Sequence, residues 1–228
     1  MKSSDEHGMT RATPLLAVAS NAKDTAFCSK NEAFGSLEKR TYAADVFAIE
    51  LLANGYKPVP IPRGKKGPEI IGWNRKTFTP QDFLPSSNIG VLTGHGVVLL
   101  DIDVANKEMA DAIVNQFIDR YEARGIILKR TGLAPKVGIP IRGPIGMKKK
   151  KVEITDGHKI EVLGIGQQFV AYGQHPAGNM YKWDAQGSLV DYRVRDLPEL
   201  TEPEIEDFLA WVIETYPKFA PNEAALEP

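Results

Sequence analysis

The sequence predicts an α+β fold. Three segments read as helices, from apolar residues at helical spacing, a stop at Asn54-Gly55 or a capping box at Thr201, and several short apolar or alternating segments read as strands. The two kinds follow one another without a regular βαβ alternation, which argues against a doubly wound parallel sheet. Bulk properties agree with one globular domain carrying tails: 228 residues, 43% hydrophobic and 25% charged, with a net charge of −1, enough to bury a sizeable core. No window approaches the roughly 18 consecutive apolar residues of a membrane span, and the N-terminus lacks a signal-peptide pattern. A cytoplasmic protein is expected. The single Cys28 has no internal disulfide partner, and the four scattered histidines give no zinc spacing.

Residues 1–38 show neither helical nor strand periodicity and are expected to form a flexible arm, with the folded domain at 39–217 and a tail or linker at 218–228. "YAADVFAIELLANGY" spaces Ala43, Val46, Phe47, Ile49, Leu51 and Leu52 roughly helically and stops at Asn54-Gly55. "KPVPIP" follows as an extended segment whose prolines restrict it to an edge or a strand start, and "RGKKGPEIIGW" reads as a loop carrying Lys65 and Lys66. "NIGVLTGHGVVLLDIDV" reads as two short strands joined by a Thr93-Gly94-His95-Gly96 turn. A helix then places Met109, Ile113, Phe117 and Tyr121 on one face. Further strands are expected at "VGIPIRG", "HKIEVLG", "QQFVAYG" and "NMYKWD". In the closing helix Thr201 and Glu204 fit a capping box, with Pro203 in the first turn.

Charge is segregated. From Ala123 to Val152 there is no acid, while Arg124, Lys129, Arg130, Lys136, Arg142 and the run Lys148, Lys149, Lys150 and Lys151 supply the bases. Such a stretch is either a solvated loop or a footprint for phosphate. Arg130 and Lys136 lie beside Gly and Pro in "KRTGLAPK", where a shaped loop is expected.

Asp101 and Asp103 end an apolar run, one residue apart. On a strand they project to the same face while Ile102 turns back with Leu100. Two close carboxylates repel unless a cation or strong donors lie between them, and a hard divalent ion such as Mg²⁺ or Mn²⁺ suits oxygen ligands. Alone, the pair reads equally as a strand end capping the next helix. Glu161 adds a third carboxylate on another apolar strand, either an exposed edge acid or a partner of the pair in a phosphoryl-transfer metal site.

Several stretches, in order, resemble the primase-polymerase domain of the archaeo-eukaryotic primase superfamily, of the type found in phage and plasmid replication proteins. They are "GYKPVPIPRGKKGP" with the following "GW", "NIGVLTGHGVVLLDIDV", "RTGLAPK", "KIEVLGIGQQFVAYGQHPAGNMYKW" and "DLPELTEPEIEDFL". The resemblance implies an RRM-like mixed or antiparallel sheet flanked by helices. It also implies a template-dependent nucleotidyltransferase with Asp101, Asp103 and Glu161 as catalytic metal ligands for Mg²⁺ or Mn²⁺. Nucleoside triphosphates, single-stranded DNA and a helicase domain or protein are the implied partners. This chain departs from the family at the middle motif, where a histidine commonly contacts the nucleotide phosphates. Lys136 with Arg130 is expected to supply the charge instead. His175 is expected near the nucleotide, or else as a turn residue. Of Gln167 and Gln168, alternation lets only one face the site, and Gln168 is taken as the nucleotide ligand. The run Lys148 to Lys151 is expected to hold nucleic acid. Tyr181 and Trp183 either stack on a base or enter the core, at least one of them the core. His95 and His158 carry no comparable argument.

Two other function classes use the same residues. A catalytically weak single-stranded DNA-binding domain that recruits a helicase fits the departure at the middle motif. A metal-dependent phosphoesterase fits the acids but not the ordered motifs.

Overall fold

The computed structural model describes residues 43–218. The arm expected at 1–38, the domain start at 39 and residues 219–228 of the expected tail lie outside the described residues. No helix among the described residues is long and apolar enough to cross a membrane.

The fold is α+β. Helix α1 (Ala44–Ala53) is followed by β1 (Pro58–Ile61), β2 (Asn88–Leu92), β3 (Val98–Asp103), α2 (Lys107–Tyr121), β4 (Arg130–Thr131) and β5 (Val137–Ile141). Then come β6 (Lys150–Glu153), β7 (Lys159–Leu163), β8 (Gln168–Tyr172), β9 (Lys182–Trp183) and α3 (Glu202–Thr215). They form a three-stranded sheet, β1-β2-β8, and a six-stranded sheet, β6-β7-β3-β5-β4-β9. Every ladder among these strands is antiparallel.

Burial explains why the apolar run into β3 does not alternate until its end. Val98, Leu100 and Ile102 pack with Ile139, Ile141, Ile160 and Val162 against Ile113 and Phe117 of α2 and Phe208 of α3. Leu99 points the other way, into a second core with Ile89 and Val91 of β2, Phe169 and Ala171 of β8 and Leu51 of α1. Both faces of β3 are therefore covered as far as Leu100, and a strand covered on both sides reads as a continuous apolar run. Beyond that point only one face is covered. Alternation starts there, with Ile102 buried and Asp101 and Asp103 partly exposed.

Several expectations change at this level. The strands of "NIGVLTGHGVVLLDIDV" do not pair with each other: β2 lies in the small sheet and β3 in the large one. The chain crosses between sheets over residues 93–97, and crosses back beside it over 164–167. Buried Thr93 locks the crossings together, its Oγ1 donating to the Gly164 carbonyl at 2.6 Å and its N–H to that of Gln167 at 2.9 Å. Gly94 (φ 83°) allows this approach, since a Cβ there would lie 2.2 Å from Ile165 Cα. The lysine run is not simply a loop. Lys150 and Lys151 begin β6, an edge strand paired to β7. Helix α1 buries Ala44, Phe47, Ala48 and Leu51 at i, i+3, i+4, i+7 spacing, while Val46, Ile49 and Leu52 remain exposed. Prolines 58 and 60 sit on an edge strand, as their missing N–H groups require.

Helix α3 starts at the expected capping box. Thr201 Oγ1 accepts from the Glu204 N–H, and the Glu204 carboxylate accepts from Thr201 N–H and Oγ1, each at 2.8 Å. With Arg124, these bonds hold the Glu204 carboxyl down to about 2. A depressed folded-state pKa stabilises the fold above the ordinary glutamate range, and that stabilisation fades as pH falls from about 4.5 through about 2. Thr201→Ala is expected to cost about 1 kcal/mol at neutral pH and to flatten the acid limb of a plot of Tm against pH.

Candidate active site

Strand register assembles the site from residues distant in sequence. One row across the large sheet reads Trp183, Arg130, Gly138, Asp101, Glu161 and Lys151. In the next row Asp103 lies opposite Lys159 of β7. Facing residues on antiparallel strands share a side of the sheet, so all three predicted acids emerge together. Asp101 and Glu161 are direct cross-strand neighbours.

Lysines and an arginine already neutralise this cluster. Asp103 meets Lys136 Nζ at 2.6 Å and Lys159 Nζ at 3.5 Å. Glu161 meets Lys149 at 2.7 Å and Lys159 at 3.5 Å, and Asp101 lies 3.8 Å from Arg130. Burial alone would raise the Asp103 and Glu161 carboxyls, but the hydrogen bonds and charges of these lysines outweigh it and hold both below the ordinary range. Asp101 goes the other way. Burial raises its carboxyl, the charges of Asp103 and Glu161 add to the rise, and Arg130 and Lys159 only partly offset it.

Arg130 is held in a slot. Its guanidinium lies 4.9 Å from the Tyr181 ring centre and 5.7 Å from that of Phe169, and Nη1 donates to the Val170 carbonyl at 2.5 Å. Gly138 makes the slot possible, since a Cβ there would lie 2.8 Å from Arg130 Nη2. The glycine inside "VGIPI" is thus a close-approach residue, as an isolated glycine within a strand can be. Arg130 is buried in this slot beside Asp101 and still forms part of the wall of the adjoining cavity.

In front of Asp101 and Asp103 lies a cavity of about 230 Å³, lined also by Lys66, Arg130, Lys136, Gln168, His175 and Tyr181. His175 Nδ1 accepts from the Ala177 N–H at 3.1 Å, which leaves the proton of a neutral ring on Nε2. Burial and the charges of Lys66, Arg130 and Lys136 hold this imidazole below its ordinary pKa. It is a neutral donor among cations. Gln168, not Gln167, faces the cavity: Gln167 Oε1 accepts from the Gly164 N–H, while Gln168 Nε2 donates to the Lys66 carbonyl at 2.7 Å. The Lys65–Lys66 loop is held a second time by Asn88, fully buried at the start of β2. Asn88 Nδ2 donates to the carbonyls of Lys65 at 3.1 Å and Gln174 at 2.8 Å, and Oδ1 accepts from the Gln174 N–H at 2.8 Å.

The structure thus brings together Asp101, Asp103, Glu161, Arg130, Lys136, His175 and Gln168. It disperses the lysine run. Lys149 faces Glu161, but Lys150 turns to the opposite side and pairs with Glu202 and Glu206 of α3 at 2.7 and 2.5 Å, and Lys151 pairs with Glu153. Trp183 belongs to the core, its Nε1 donating to the Ala171 carbonyl, while Tyr181 lines the cavity. Lys66, Asn88, Gly138 and Lys159 are site residues that sequence reasoning did not assign. Asn88 was detectable as a lone amide heading an apolar strand. Lys159 was not, because only register sets it opposite Asp103.

Among the described residues no three His, Cys, Asp or Glu side chains are arranged to hold a metal ion; each acid is turned to a base. The chemistry of the set is nevertheless that of a hard cation site, three carboxylates without nitrogen or sulfur. The lysines on Asp103 and Glu161 are 35–42% exposed on flexible stems, so they can withdraw into water. A family model described as bifunctional DNA primase/polymerase, N-terminal, matches residues 48–202. No curated protein matches the chain.

Proposed function

The chain belongs to the bifunctional DNA primase/polymerase N-terminal family, and from that premise we propose that it adds nucleotides to a strand on a single-stranded DNA template, in replication of a phage, plasmid or integrated element. One observation carries the proposal. The paired acids of β3 line a cavity whose other polar walls are cationic or donors, and Glu161 of β7 lies directly across the ladder from Asp101. In this reading Asp101, Asp103 and Glu161 would hold Mg²⁺ or Mn²⁺, and the ion would supply charge neutralisation for the triphosphate.

The remaining residues bind and orient. Lys66 and Lys136 lie at the cavity as mobile point charges for the phosphates. The Nε2–H of His175 offers a neutral donor at the cavity and, in this reading, stands in for the histidine that the middle motif lacks. Arg130, fixed between two rings, positions Asp101 and keeps the adjacent acids from repelling one another. Asn88 holds the Lys65–Lys66 loop, and Gln168 ties the same loop while itself lining the cavity as the expected nucleotide contact.

The test is synthesis on primed and unprimed single-stranded DNA with ribo- or deoxynucleoside triphosphates and Mg²⁺ or Mn²⁺. Metal-dependent incorporation is expected, and it should vanish in an Asp101→Ala plus Asp103→Ala variant. Incorporation that survives the double change sinks the site assignment. One observation favours a second reading, a DNA-binding domain with little chemistry that recruits a helicase: every acid of the cluster already has a basic neighbour. Salt-sensitive DNA binding with no incorporation under any triphosphate or metal would select it.

A further inference from the structure

The bases left without acids are not where the sequence concentrates them. The run 148–151 is largely spent, with Lys149, Lys150 and Lys151 each paired to a glutamate. The segment from Lys57 to Lys76 differs. Glu69 is its sole acid, and Lys57, Arg63, Lys65, Lys66, Arg75 and Lys76 form no ion pair with a described residue. Like charges gathered without counter-charges repel, so such a surface is stabilised by an anion from outside the chain.

Part of this segment shapes a second cavity, of about 370 Å³, distinct from the one at the paired acids. Lys57, Arg75, Lys76 and His95 line it, no acid does, and Tyr56, Phe78 and Leu92 are among its apolar walls. Low-dielectric walls beneath converging cations focus their field. Burial and the charge of Lys57 hold the His95 imidazole below its ordinary pKa, as in a positive site lacking a carboxylate. The loop carrying Lys66, which lines the cavity at the paired acids, runs on in sequence to Asn74, Arg75 and Lys76 of the groove.

We propose that the groove of Lys57, Arg75, Lys76 and His95 binds the phosphodiester backbone of single-stranded DNA, apart from the triphosphate cavity. That this strand is the template rests on the polymerase reading above. Phosphate contacts of this kind position a strand without reading its sequence.

Arg75 and Lys76 are exposed, so R75Q/K76Q should fold, as an unchanged circular-dichroism melt would verify. Binding of a labelled mixed-sequence oligonucleotide is measured by anisotropy over a salt series, without metal or triphosphate. The variant is expected to bind several-fold more weakly, with a log K against log salt slope shallower by about 1.4, about 0.7 for each lost phosphate contact. Unchanged affinity and slope overturn the proposal. So does loss of inorganic tripolyphosphate binding with DNA binding intact, which would make the groove a small-anion site. A parallel K148Q/K151Q variant should keep the native slope, and a larger loss there would return the contact to the lysine run and overturn the proposal. A native chain that binds DNA through this groove yet incorporates nothing sinks the polymerase reading and upholds the groove.

Discussion

Asp101→Asn is expected to lower nucleotide incorporation by about a thousandfold or more while leaving Tm at neutral pH equal to or above the native value. The activity loss follows from position. Asp101 faces Glu161 across the ladder and opens on the cavity, and losing one carboxylate of a metal-binding set forfeits several kcal/mol of transition-state charge stabilisation, at tenfold per about 1.4 kcal/mol. The amide is isosteric, so packing around Leu99 and Gly138 is retained. The stability gain follows from the raised pKa of this carboxyl, caused by burial first and by Asp103 and Glu161 next. An acid with a raised folded-state pKa destabilises the fold wherever it is ionised, and that penalty disappears as pH falls and the native carboxyl takes up its proton. The gain should therefore appear at neutral pH in metal-free buffer and vanish on acidification. A large drop in Tm would show that Asp101 serves the fold through Arg130 rather than the chemistry.

Asn88→Ala should act in the opposite sense, on binding and stability more than on the chemical step. The change deletes three hydrogen bonds of a fully buried amide and leaves the Lys65 carbonyl and the Gln174 backbone groups without it. Buried groups left unsatisfied cost about 1–3 kcal/mol each at most, so a total of about 2–4 kcal/mol is expected, a fall in Tm of roughly 5–15 °C. The Lys65–Lys66 loop keeps its tie to Gln168 and the bond from Arg63 Nε to Gln174 Oε1. Loss of one well-placed phosphate contact is worth about tenfold in affinity, and KM for the triphosphate should rise by about that factor with kcat within about threefold. Steady-state kinetics below the lowered Tm separate the two effects. A fall in kcat with KM unchanged would place Lys66 outside the triphosphate site.

What was legible in the sequence follows the range of the forces involved. Thr201 and Glu204 predicted the start of α3 because a capping box closes over four residues. Asn54-Gly55 predicted the end of α1 for the same reason, with Asn54 Nδ2 also donating to the carbonyls of Leu189 and Val190. The shared face of Asp101 and Asp103 was legible because alternation along a strand is local. The lysine run misled because composition counts charges without their partners. Lys150 looked like a free base until α3, about fifty residues later, supplied Glu202 and Glu206.

The sequence by itself determined the α+β class, the three helices and most of the strands in order, and the two carboxylates that leave the core together on β3, but not the short strands β4 and β6. It did so because helical and strand periodicities, caps and the emergence of a strand from apolar surroundings are written over a few consecutive residues. Only the tertiary structure decided that Glu161 faces Asp101, that Gly138 clears a path for Arg130, that β2 and β3 part into separate sheets, and which bases meet an acid among the described residues. Those outcomes depend on register between strands dozens of residues apart. A shift of one residue would have turned each side chain to the other face of the sheet.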